Sequence, residues 1–106
     1  MKKVLFTLVC GLLIWPLMAQ RSLQSAIDYS AQKEYEASTA ILDVFIVENP
    51  QRKYDVARAW SLLSYNYLQL GQLENARQAN TTSLKMRLDL RSSDIVENYL
   101  QEAQID

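Results

Sequence analysis

A chain of 106 residues with 49% apolar content is long enough for one domain with a packed core. It has only two Gly and two Pro, is rich in good helix formers and lacks sustained period-two alternation, so an all-α fold is expected. The net charge of −1 includes no basic block to neutralise phosphates, which excludes nucleic acid as a partner; the absence of His removes the commonest general base and metal ligand.

Lys2 and Lys3 precede an uncharged, mostly apolar run from Val4 to Met18. That run falls short of the ~20 residues needed to span a bilayer. With Pro16 near its end and Leu17-Met18-Ala19 before Gln20, residues 1–19 are expected to be a bacterial-type signal peptide cut between Ala19 and Gln20. The protein is then exported, periplasmic or secreted, with no stable membrane anchor after cleavage. Cys10 lies inside the run behind Val9, which does not fit a lipidation site. The mature chain has no thiol and rests on packing alone. Without Lys2 and Lys3, nine basic residues face twelve acidic ones, a net charge of −3.

Residues 20–106 form the expected helical domain. Gln20 to Lys33 is the first helix, with Leu23, Ala26, Ile27 and Ser30 on one face. Lys33-Glu34-Tyr35 reads as a turn. Glu36 to Val47 is the second helix, apolar almost all round through Ala37, Ala40, Ile41, Leu42, Val44 and Phe45, and ended by Asn49-Pro50. After a polar linker, Asp55 is the expected N-cap of a third helix that runs to about Leu70, with Val56, Ala59, Trp60, Leu63 and Tyr67 on one face. Gly71 suits the left-handed residue that closes a helix. Gln72 to about Met86 or Leu90 is the fourth helix, where Ala76, Ala79 and Ser83 permit close approach. Asp94 is expected to cap a fifth, Ile95 to Gln104, whose Glu102 and Gln104 suggest a polar outer face.

The chain repeats itself. DVARAWSLLSY from Asp55 aligns with DIVENYLQEAQ from Asp94, a shift of 39 residues, and Tyr35 in KEYEAS aligns with Leu73 in GQLENA, a shift of 38. Trp60, Leu63, Ser64 and Tyr67, then Gly71 and Ala76, stand where the ~34-residue tetratricopeptide motif places Trp, Leu, Gly, Tyr, the turn and Ala. The chain therefore resembles the tetratricopeptide repeat family. In the first hairpin the likeness holds at Ala26, Tyr29, Tyr35, Leu42 and Pro50, with Phe45 on the packed stripe, while Ser22 and Ser25 replace the motif's Trp and Leu. Asn80 stands where the motif has an aromatic: either a neighbour satisfies that amide or the helix pair is looser. The resemblance implies antiparallel hairpins stacked as a short α-solenoid, about two repeats and a capping helix; a third repeat cut short is the alternative.

The resemblance also implies a non-catalytic scaffold with a concave surface for a protein or peptide partner, and no cofactor or metal. On this alignment the surface carries Leu23, Ile27 and Ala31 from the first pair and Arg58, Ser61, Tyr65, Leu68 and Gln69 from the second. Ser61 and Tyr65 replace the Lys and Asn with which the family clamps C-terminal carboxylates, so that ligand class is disfavoured. Tyr65 lines the groove or packs against the next repeat. Self-association through the exposed end of the array into a homodimer is a second expectation, and an N-terminal portion of a longer exported sensor a further one. Ser30-Ala31-Gln32-Lys33 has a Ser-x-x-Lys spacing without companion motifs, and Asn80-Thr81-Thr82 has a sequon pattern inside a helix. Neither is expected to act, and the scattered acidic residues form no acid–base or calcium pair.

Overall fold

The computed structural model describes residues 18–91 and 95–105. The expected signal segment up to residue 17 and the Asp94 cap lie outside these residues. Among the described residues the fold is all-α, with five helices: α1 (residues 18–31), α2 (Tyr35–Glu48), α3 (Lys53–Gln69), α4 (Leu73–Asp89) and α5 (Ile95–Ile105). Each of α2 to α5 packs against the next in sequence, and α3 also touches α5.

The turns are built alike. Lys33 closes α1 with φ 66° and Gly71 closes α3 with φ 76°, 38 residues apart. At both, the next amide reaches back across the last turn: Glu34 N–H donates to Tyr29 O and Gln72 N–H to Tyr67 O, each at 2.8 Å. Lys33 N–H and Gly71 N–H donate to Ser30 O and Leu68 O, which completes the two-bond helix closure that needs a left-handed residue. Arg91, with φ 55°, follows α4 in the same way. Asn49 ends α2 by donating both its backbone N–H and its side-chain Nδ2 to Phe45 O.

Helix α3 begins two residues before the expected Asp55 cap. Val56 N–H already donates to Arg52 O, so Arg52 is the cap residue and Asp55 lies in the first turn. There the carboxylate accepts from Arg52 Nε at 2.9 Å and adds favourable charge at the helix N-terminus.

The core joins Ala19, Leu23 and Ala26 of α1 with Leu42 and Phe45 of α2, Val56, Ala59 and Leu63 of α3, and Ala79 of α4. Ile27, Ile41, Ile46, Trp60, Leu62, Tyr67 and Met86 pack around it, half-buried. Serine hydroxyls clamp the helix pairs at close approach. In the first hairpin Ser38 Oγ of α2 donates to Ala26 O of α1 at 2.7 Å, and in the second Ser64 Oγ of α3 donates to Ala76 O of α4 at 2.8 Å. Shifted by 38, Ala26 becomes Ser64 and Ser38 becomes Ala76. The two residue types have exchanged helices and the hydrogen bond has been kept. Ser83 Oγ donates to Ala57 O and clamps the same hairpin a second time.

Polar side chains also join one pair to the next. Ser30 Oγ donates to Asn66 Oδ1, and Asn66 Nδ2 donates to Ser38 Oγ, tying α1, α3 and α2 through a buried amide. Asn80 is 2% exposed and its amide is satisfied by a neighbour: Asn80 Nδ2 donates to Asn98 O and Asn98 Nδ2 to Asn80 Oδ1, both at 2.8 Å. Arg87, 3% exposed, donates to Asn98 Oδ1 at 2.8 Å. A buried polar network of this kind stabilises only when its members are all bonded.

Gln104 of α5 is exposed as expected, but this network turns Glu102 inward and leaves apolar residues of the helix outside. Asn98, Gln101 and Ile105 are buried, and Glu102 turns toward Asn80 and Arg77. Val96, Tyr99 and Leu100 are exposed. The physical reason lies on α4, whose Asn80 and Arg87 require polar partners and draw the polar face of α5 inward.

The candidate binding cleft between α1, α3 and α5

The first, third and fifth helices leave an open cleft of about 440 Å³, lined by Leu23 and Ile27 of α1, by Arg58, Ser61, Leu62 and Tyr65 of α3, and by Glu97, Leu100, Gln101 and Gln104 of α5. A second hollow of about 440 Å³ shares Leu23, Ile27 and Arg58 with it and adds Gln20, Arg21, Gln24, Arg52 and Asp55. The two form adjoining halves, one mainly apolar and one polar.

Five of the expected groove residues therefore meet: Leu23, Ile27, Arg58, Ser61 and Tyr65. Leu68, half-buried, and Gln69 and Ala31, both exposed, do not line either half. The floor is held by hydrogen bonds. Ser61, 1% exposed, donates from Oγ to Glu97 Oε1 at 2.7 Å. Gln101 Nε2 donates to Ser61 O at 3.2 Å and to Ser61 Oγ at 3.1 Å. Gln101 Oε1 is buried and accepts no hydrogen bond. Glu97 also lies 3.8 Å from Arg87, so its charge is balanced from below.

At the far wall, Tyr65 meets Tyr35 edge to face, with ring centroids 6.1 Å apart at 70°. Burial, and after it the neighbouring Tyr35, push the Tyr65 phenol above its ordinary range, while Lys33 opposes the shift. Tyr65 thus packs against a neighbouring helix pair and still lines the cleft.

The remaining residues expected to pack the repeats divide by depth. Leu42, Phe45, Leu63, Ser64 and Ala76 are buried; Tyr35, Trp60 and Tyr67 are half-buried; Tyr29, Pro50 and Gly71 are exposed. A Cβ built on Gly71 would meet nothing within 4 Å, so its role is the backbone angle rather than close approach.

The cleft residues of α5 escaped a reading by residue type but obey the repeat. Shifted by 39, Arg58, Ser61, Leu62 and Tyr65 become Glu97, Leu100, Gln101 and Gln104. Shifted back by 38, Ser61 and Tyr65 become Leu23 and Ile27. The same helical face recurs three times with different chemistry.

Ser30 is buried and its hydroxyl proton is given to Asn66, across to α3. Among the described residues, no group of three or more His, Cys, Asp or Glu is placed to hold a metal, and no helix is long and apolar enough to cross a membrane. The chain matches no family model, no curated protein and no solved structure.

Proposed function

We propose that this chain is a non-catalytic helical-repeat scaffold of tetratricopeptide type, exported from the cytoplasm, whose cleft takes a segment of another protein. The observation that carries this reading is the register: equivalent positions on α1, α3 and α5 face one open cleft. Its apolar half, walled by Leu23, Ile27, Leu62 and Leu100, suits an apolar side chain. In the adjoining half Arg52 is paired with Asp55, while Arg21 and Arg58 remain to attract a carboxylate. The expected ligand is a peptide segment with an apolar residue next to an acidic one.

Panning a random peptide library against the full chain tests this. Wild-type protein should select apolar-acidic segments, and Arg58→Glu should lose them or select basic ones, with an unchanged melting temperature because Arg58 is exposed. Failure to select any peptide, or an identical selection with equal affinity by the variant, would remove the cleft from the function.

A further inference from the structure

Helix α5 is a wall of the cleft, yet it has no side chain in the apolar core. The core residues, and the half-buried ones packed on them, all come from α1 to α4. Of the three buried residues of α5, Asn98 and Gln101 are polar and Ile105 alone is apolar. Hydrogen bonds therefore carry its docking. Asn98 is bonded to Asn80 and Arg87 at 2.8 Å, and Gln101 to Ser61 at 3.1 and 3.2 Å. Each such bond replaces one to water and contributes less net stability than a large buried apolar side chain. Gln101 Oε1 is buried without a donor, which counts against the docked state, because water would satisfy it once α5 is released.

The cleft depends on that wall. Four of its ten lining residues, Glu97, Leu100, Gln101 and Gln104, belong to α5. Its floor, Ser61, is bonded to two of them, Glu97 and Gln101. Asn98 stands between these two in the chain, lines neither half of the cleft, and faces α4.

We propose that the cleft is assembled by the docking of α5, so that ligand binding and docking are linked, and that Asn98 is a positioning residue that holds the wall from behind. The inference rests on the peptide-binding reading above. A segment that binds only the docked form favours that form by a factor of 1 + [L]/Kd, and a smaller docked fraction weakens its apparent affinity by the reciprocal of that fraction. The occupied cleft then holds α5 in place, and the empty one lets it go.

Amide hydrogen exchange of the full chain, alone and with a peptide selected in the panning above, tests this. In the unliganded protein, α5 amides should exchange at least about tenfold faster than those of α3, as a locally released helix does. Peptide at about 100 times its Kd should slow α5 exchange roughly 100-fold. Asn98→Ala should speed α5 exchange and weaken the peptide by at least about threefold, in proportion to the lost docked fraction. A merely structural role would not tie those two changes together. If Asn98→Ala does not fold, wild-type exchange with and without peptide decides the linkage alone. Three results would overturn the proposal and leave the cleft as a binding site: α5 exchange no faster than that of α3, α5 exchange unmoved by bound peptide, or wild-type affinity in an Asn98→Ala protein whose α5 exchanges faster. A full chain that selects no peptide removes the binding reading instead, and the linkage with it.

Discussion

Replacing Asn98 by Ala should undock α5 while leaving the other helices folded. Asn98 is fully buried and its amide serves two others at once. Its Oδ1 accepts from Arg87 Nη1 at 2.8 Å and its Nδ2 donates to Asn80 Oδ1 at 2.8 Å. The first bond involves a charged donor, of the kind worth about 1.5–3 kcal/mol, and the second leaves a buried amide acceptor whose desolvation costs about 1–3 kcal/mol. Arg87 keeps Glu97 at 3.8 Å, and Asn80 Nδ2 keeps the Asn98 backbone carbonyl, so the lower ends apply and the loss should be about 2.5 kcal/mol. Two readouts separate this from general destabilisation. Urea denaturation gives the magnitude, and amide hydrogen exchange gives the place: α5 amides should exchange faster while the α2–α3 amides keep their protection. A double-mutant cycle with Asn80→Ala should return a coupling of about 1 kcal/mol or more, since each single change breaks the same reciprocal pair. A loss under about 0.5 kcal/mol, or unchanged α5 exchange, would refute the view that this network holds the helix in place.

Lys33→Gly should stabilise the chain by roughly 1 kcal/mol in denaturant titration, because Lys33 has the left-handed angle that Gly71 adopts without a Cβ. Ser64→Ala should cost about 1 kcal/mol through the lost bond to Ala76 O, and adding Ala76→Ser should recover most of it by reproducing the arrangement of the first hairpin; a double variant as weak as the single one would show that the exchanged clamp is incidental. Burial first, and Asp43 second, raise the Tyr67 phenol above the ordinary value of 10.0, as burial and Tyr35 raise that of Tyr65. A folded value above the unfolded one means stability is fully present below about pH 10 and is lost as pH rises through the folded value. Tyr67→Phe should flatten that alkaline decline in melting temperature.

The all-α fold and the places where it turns could be read from periodicity, from Asn49-Pro50 and from Gly71, because local backbone chemistry decides them. The turn at Lys33-Glu34-Tyr35 is legible too, but not its left-handed residue, since a lysine there is tolerated rather than demanded. Asp55 misled for a related reason. Its carboxylate does favour a helix start, but from within the first turn, where Arg52 holds it, and a cap and a first-turn acid look alike until the chain is folded. The cleft was read only in part, on α1 and α3. Glu97, Leu100 and Gln104 do not resemble Arg58, Ser61 and Tyr65, and only the 39-residue shift identifies them as the same face.

The orientation of α5 lies deeper. Periodicity finds its two faces and says nothing about which one docks. A burial rule sends Val96, Tyr99 and Leu100 inward, and the molecule sends them outward. The choice is made on α4, where Asn80 and Arg87 would be stranded against an apolar neighbour, at about 1–3 kcal/mol for the amide and more for the charge. Turning Asn98 inward removes that penalty and leaves the apolar stripe of α5 in water. An odd polar residue in a packing position, such as Asn80 where an aromatic would serve, is therefore a statement about its neighbour. It predicts a complementary amide or charge on the next helix, and through that choice it decides which surface the molecule offers to others.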